Sequence, residues 1–335
     1  MKKLRTPDAC FNNLPDYDFP PHYTDVYDGE GGTLRMHHIE QGPTDGEVVL
    51  CLHGQPTWSF LYRKVIPVLA KAGYRVIAPD LVGFGKSDKP TLRSDYTYSR
   101  HVNWLKQWLV NNNLNNVNLL CGDWGGLIGL RLAAAYPDRF ARLIPTSTVL
   151  PDSEGGVPLE MTEQMYQAYE SLPVPVDIRQ VWAQFESPGE IHPFLYWRKL
   201  CSENKAFRPS HLVEASSVNP IAAQAILDAY NAPFPNESYL AGVRQFPSLL
   251  PVMPDDPELA TCDMVWRLLR TFSKPVMTVF GDKDAFTIGA EKVFQERIPG
   301  ANGQPHTMIN NVSHFAEEEA GEELAQAVVH FLKQS

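Results

Sequence analysis

A chain of 335 residues that is 44% hydrophobic and 20% charged has the make-up of a globular protein, long enough for one large domain or a core carrying an insertion. Its formal net charge of −10 provides no basic surface for phosphate backbones, which excludes nucleic acid as the main partner. No segment approaches the ~18 apolar residues of a membrane helix, and the opening MKKLRTPDACFNNLPDYDF has no apolar stretch behind its basic start, so a cytoplasmic protein without a signal peptide is expected.

In chain order, short apolar runs alternate with amphipathic stretches, the pattern of buried parallel strands joined by helices. Val48–Leu52 ends at His53-Gly54, Arg75–Ala78 at Pro79-Asp80, and Val117–Cys121 at Gly122-Asp123-Trp124-Gly125-Gly126. A helix is predicted over Leu127–Tyr136, and further strands over Leu143–Val149, Pro275–Phe280 and Met308-Ile309. Between about Pro151 and Pro257 the alternation stops, and short helical pieces such as Ile221–Tyr230 replace it. The expected organisation is an α/β core over 1–152, a mostly helical insertion over 153–257 and the rest of the core over 258–335. The acidic run Glu317-Glu318-Glu319 with Glu322-Glu323 reads as a solvated helix face. Five cysteines have neither CxxC nor metal-ligand spacing; Cys51 and Cys121 fall in apolar runs as small core residues, and a Cys10–Cys262 bridge is the weaker alternative to free thiols.

In open α/β sheets ligands bind beyond the carboxyl ends of the strands, so the polar residues there are the candidates. Strand, Gly-Asp-Trp-Gly-Gly and helix in succession form the setting of a nucleophile elbow, with Asp123 at the apex and Cys121 where the usual glycine would stand. The blander reading is that Asp123 caps the following helix. An apical carboxylate is already ionised at neutral pH and can displace a leaving group from carbon, forming an ester that water must then cleave. That second step needs a general base and an oxyanion hole. The backbone N–H groups of Gln55, in His53-Gly54-Gln55-Pro56, and of Trp124 are the oxyanion candidates, while His53 itself reads as structural. Val279-Phe280-Gly281-Asp282-Lys283-Asp284 offers two acids, and Asn311-Val312-Ser313-His314-Phe315 offers a histidine, in the chain order of an α/β-hydrolase triad.

Together, His53 to Arg63 (HGQPTWSFLYR) and Asp123-Trp124-Gly125-Gly126 resemble haloalkane dehalogenases. Arg5-Thr6-Pro7-Asp8, Ala232-Pro233-Phe234-Pro235 and Ala241-Gly242-Val243-Arg244 extend the likeness over most of the chain, and the middle of the insertion, about Glu154 to Pro188, matches least. The resemblance is to the first subfamily, and it implies Asp284 as the acid in place of Asp282. It also implies halide held by two indole N–H groups, Trp124 and the Trp197 of Phe194-Leu195-Tyr196-Trp197, with Trp182 as the rival. An indole N–H donates and never accepts, which suits an anion in an apolar pocket. Phe185 and Phe194 are expected to line that pocket, the substrate is a small halogenated alkane, and no metal or organic cofactor is implied. A monomer or small homo-oligomer is expected. Two other readings remain: an epoxide hydrolase, which would use insertion tyrosines among Tyr166, Tyr169, Tyr196, Tyr230 and Tyr239, and a binding protein of the same fold without turnover.

Overall fold

The computed structural model describes residues 1–335 apart from 155–157, 188, 190 and 222. Its centre is a six-stranded sheet made of β1 (Pro21–Tyr27), β2 (Thr33–Gln41), β3 (Val48–Leu52), β4 (Arg75–Pro79), β5 (Val117–Gly122) and β6 (Phe140–Thr146), in spatial order β1-β2-β4-β3-β5-β6. Two further parallel strands, β7 (Val279–Gly281) and β8 (Thr307–Ile309), extend it where Val276 bridges Leu143 of β6. From β4 across to β8 the pairings are parallel, and all six residues of β5 are buried, as a sheet covered on both faces requires.

The antiparallel hairpin β1–β2 has no counterpart among the expected strands. Its outer strand is mostly solvent-facing, so PHYTDVY carries no apolar run to betray it. The expected strand over Leu143–Val149 stops at Thr146, because Ser147 takes a left-handed φ of 40° and turns the chain out of the sheet. Pro275–Met277 bonds to Leu143, but regular pairing begins only at Val279. The helix expected from Leu127 already starts at Asp123 and runs to Ala135.

Between β6 and β7 only helices occur among the described residues. They are Thr162–Ser171, Ile178–Glu186, Pro193–Glu203, Pro209–Ser216, Gln224–Asn231, Ala241–Leu249 and Pro257–Leu269. The expected helical piece at Ile221–Tyr230 begins at Gln224, and its residue 222 lies outside the described residues, as do 155–157 and 188 of the poorly matching stretch. Pro257–Leu269 packs on Asp123–Ala135 of the core. The insertion is sewn to the core by Trp58 Nε1 donating to the Ala229 carbonyl (3.1 Å) and Thr6 Oγ1 to the Pro233 carbonyl (2.7 Å).

Only part of the acidic run is the solvated face its charge suggests: Glu322 and Glu323 are exposed, but Glu317 and Glu318 are 2% and 3% exposed. Glu318 takes a two-pronged bond from Arg63 (2.6 and 2.7 Å), a third from Lys64 Nζ (2.9 Å) and the Tyr230 hydroxyl from the insertion. Burial favours the neutral acid, but these donors outweigh it and hold the Glu318 carboxyl below its ordinary range. Removing one partner of such a pair strands the other charge in the interior. Glu318→Ala is therefore expected to cost about 3–5 kcal/mol, measured by chemical denaturation; a loss below about 1 kcal/mol, the value of an exposed pair, would refute the network.

Candidate active site

Register brings the candidate groups together. Leu52 of β3 pairs with Cys121 of β5, and Gly122 of β5 with Thr146 of β6, so the segments beginning at His53, Asp123 and Ser147 leave the sheet side by side. Asp123 sits at the turn with a left-handed φ of 46°, a strained backbone for a residue bearing a Cβ. The strain is held by Asp123 N–H donating to the Ser147 carbonyl (3.0 Å) and Thr148 Oγ1 to the Asp123 carbonyl (2.7 Å). Gly125 and Gly126 are there for space: a Cβ on the first would lie 2.1 Å from the Leu52 carbonyl oxygen, and on the second 2.2 Å from Thr148 Oγ1.

Gln55 N–H donates to Asp123 Oδ1 at 2.6 Å. The Gln55 carboxamide turns the other way and donates to the Val243 carbonyl of the insertion (3.2 Å), which fixes the loop. Trp124 is the second residue of its helix, so its N–H belongs to the first turn, which has no carbonyl partner inside the helix. His53 is fully buried, with Nδ1 on the Gly54 carbonyl (2.9 Å) and Nε2 accepting from Leu81 N–H (3.0 Å). Burial lowers its pKa, so it is a neutral brace between two loops, away from proton transfer.

The two acids after β7 separate cleanly. The Asp282 carboxylate accepts from the Asn311 and Val312 N–H groups (2.6 and 3.3 Å), lacing the two loops together. Asp284, fully buried, meets His314 Nδ1 at 3.1 and 3.2 Å from its two oxygens and also accepts from Phe286 N–H and Thr287 Oγ1. His314 Nε2 faces Asp123 Oδ2 at 3.7 Å. Burial of His314 disfavours the imidazolium, but Asp284 and then Asp123 outweigh it and raise the pKa to about 10. The imidazole therefore rests as a cation between two carboxylates.

A cavity of 290 Å³ opens above these groups, lined by Asp123, Trp124, His314, Phe185, Phe194 and Trp197 among others. Asp177 caps Ile178–Glu186 by accepting from the Arg179 and Gln180 N–H groups, and Val181, Trp182 and Phe185 follow at helical spacing. His192 Nδ1 caps Pro193–Glu203, where Phe194 and Trp197 share a face as i and i+3. The Nε1 groups of Trp124 and Trp197 have no partner among the described residues. Trp182, by contrast, donates to the Ala215 carbonyl (2.9 Å) and does not line the cavity. No described tyrosine lines it either; Tyr230 is engaged with Glu318. The sequence reading missed Phe286, Thr287, Leu250 and Val252 in the wall. For Phe286 the position two residues after the acid was an available signal; for Leu250 and Val252 there was none. Among the described residues no group of three or more His, Cys, Asp or Glu side chains is gathered to hold a metal, and all five cysteines are free.

Comparison with known proteins gives a consistent result. A family profile described as the alpha/beta hydrolase fold matches residues 47–181. A haloalkane dehalogenase of Psychrobacter cryohalolentis is 46% identical over 332 residues, covering 99% of this chain and 98% of the relative. One from Mycobacterium marinum is 41% identical over 329 residues, 98% of this chain and 99% of the relative. Among solved structures, the tetrameric haloalkane dehalogenase DpaA from Paraglaciecola agarilytica superposes with a TM-score of 0.76 at 33% identity, covering 100% of this chain and 99% of the other.

Proposed function

The chain belongs to the haloalkane dehalogenases, hydrolases that convert a haloalkane and water to an alcohol, halide and a proton, and from that premise we propose the role of each residue in the cavity. Asp123 attacks the halogen-bearing carbon while Trp124 and Trp197 take up the departing halide. The indoles stabilise charge as it develops on the halogen, where a donor in a dry pocket has the largest effect. Alkylation then removes the Asp123 charge that helped hold the His314 proton. The imidazole thereby becomes the free base that the second step requires. His314, oriented by Asp284 as in the first subfamily, takes a proton from water, and the water oxygen attacks the ester carbonyl. The oxyanion is received by the N–H groups of Gln55 and Trp124. Phe185 and Phe194 shape the wall, and at 290 Å³ the cavity suits a small alkyl chain.

The carrying observation is the pair of indole N–H groups, unpartnered among the described residues, on tryptophans that line one cavity with Asp123 and His314. It also weighs against the epoxide hydrolase reading, which needs tyrosine hydroxyls in the wall. Trp197→Phe keeps the ring and deletes the donor, so bromide affinity is expected to fall about 10- to 100-fold, the value of a hydrogen bond to a charged group, read by fluorescence quenching. Trp182→Phe is expected to leave that affinity unchanged. An unaltered bromide affinity in Trp197→Phe would falsify the assignment.

Residues 153–257 serve as the cap over the strand ends, with Pro257 already in the core-packed helix. The free thiols, four of them buried, support a reducing cytoplasmic setting. The tetrameric relative supports a small homo-oligomer. None of the described helices is long and apolar enough to cross a membrane.

A further inference from the structure

Beneath the nucleophile, on the side of the elbow toward Glu317, lies a second and much smaller void of 10 Å³. Asp123, His314, Gly54, Gly122, Ser147 and Glu317 contribute to its wall. Its size is near the ~10–15 Å³ that one water needs. Two polar atoms of these wall residues, Glu317 Oε1 and Ser147 Oγ, are buried and have no hydrogen-bond partner among the described residues. Both residues are 2% exposed. A Cβ on Gly122 would lie 2.9 Å from Glu317 Oε1, so the carboxyl sits directly under the elbow. Buried polar atoms are rarely left unpaired, and two of them on residues that line one water-sized void have a common explanation.

We propose that Glu317 and Ser147 are positioning residues that seat the water consumed in the second half-reaction. The inference rests on the ester mechanism proposed above. The seat supplies what that step needs. One water proton points to His314 Nε2 and the other to Glu317 Oε1. Of the two lone pairs, one accepts from the Ser147 hydroxyl, and the other is left facing the carbonyl carbon of the ester. On attack, the water O–H bond breaks toward His314, a C–O bond forms to Asp123 Cγ, and the carbonyl electron pair moves to the oxygen held by Gln55. Collapse breaks the bond from Cγ to the alkoxyl oxygen, which takes the proton from His314 and leaves as alcohol. Asp123 keeps the water's oxygen, and its carboxyl proton passes to His314, which restores the resting cation; the one proton released per turnover is the one His314 gave up on alkylation. Burial, with Asp123 adding and His314 opposing, raises Glu317 to about 7, which lets the carboxyl stand beside the nucleophile without a full second negative charge.

The test separates the two half-reactions. Rapid-quench bromide release from 1-bromobutane reports ester formation, and decay of the alkyl-enzyme in intact-protein mass spectra reports its hydrolysis. In Ser147→Ala and Glu317→Leu the bromide burst is expected to persist while ester hydrolysis slows by about 10²-fold, the effect of a small misplacement of a reactant. In steady state kcat falls, KM falls with it and kcat/KM holds. Glu317→Gln, which retains an acceptor oxygen, recovers most of the loss. Hydrolysis unchanged in the variants, or burst and hydrolysis falling together, would overturn the seat and leave a structural water only. If Glu317→Leu does not fold, Ser147→Ala and Glu317→Gln decide alone. A single turnover of the wild type in ¹⁸O-water keeps the two readings apart. Label missing from Asp123 would sink the ester mechanism and the seat with it, whereas label present with unaltered partitioning in the variants sinks the seat alone.

Discussion

Asp123→Ala is expected to reduce halide release from 1-bromobutane by roughly 10⁵-fold or more, as losing a nucleophile that acts as a unit with its base does elsewhere. The variant has no atom able to attack the halogen-bearing carbon, so only the pocket and the indole pair remain to assist bulk water. Its bromide affinity should persist, because Trp124 and Trp197 are untouched. Folding should not suffer either. The wild-type backbone at 123 carries the left-handed φ of 46°, and its side chain is bonded mainly through one N–H, that of Gln55. A variant that unfolds no earlier than the wild type, binds bromide and releases no halide identifies Asp123 as a chemical residue, whereas the helix-cap alternative predicts lost stability with activity retained. Residual release at even a few per cent of the wild-type rate, with wild-type contamination excluded by mass, would rule the assignment out.

The legibility of this site in the sequence followed from where each residue lies on a strand. Asp123, His53 and Gln55 come within three positions of the end of a largely apolar run, so the strand end announces them. Asp284 and Asp282 could not be told apart from the residues, since both follow the same strand within three positions of Gly281. The loop lacing separates their surroundings: Asp282 is spent on the Asn311 and Val312 N–H groups, while Asp284 reaches His314. Trp197 against Trp182 was equally undecidable by spacing, because a cavity facing one helix and a carbonyl facing another are properties of packing. The indole N–H of Trp182 is occupied by the Ala215 carbonyl, which favours Trp197. Hydropathy misled outright at Glu317-Glu318, because a charge run looks solvated unless its partners, Arg63 and Tyr230, are known to lie far away in sequence. The edge hairpin β1–β2 was missed for the converse reason: a strand with one wet face carries no continuous apolar signal.

Replacing His314 by glutamine should act on the other half of the cycle, with a different signature. The displacement does not use the imidazole as a base, so one equivalent of bromide per enzyme should still appear. The ester then has no group to deprotonate water. Its hydrolysis is expected to slow by about 10⁴-fold, the upper end of what a positioned general base contributes. The enzyme therefore stops after one event, and its mass should increase by the alkyl group of the substrate, with peptide mapping locating the increment on Asp123. The charge arrangement sharpens the expectation. In the resting protein Asp284 and Asp123 raise the His314 pKa to about 10 against the cost of burial. Removing that cation leaves two carboxylates facing across the site without a counter-charge, which should slow the burst somewhat while the adduct still accumulates. Once Asp123 is alkylated its contribution vanishes and only Asp284 remains, so alkylation lowers the His314 pKa and favours the free base. Asp284→Asn should then impair the hydrolytic step above all: with the carboxylate gone, His314 loses its orientation and the stabilisation of the imidazolium formed during attack. A His314→Gln protein that turns over repeatedly, or shows no mass increment on Asp123 after bromide release, would mean that the water attacks the substrate carbon directly and that no ester forms.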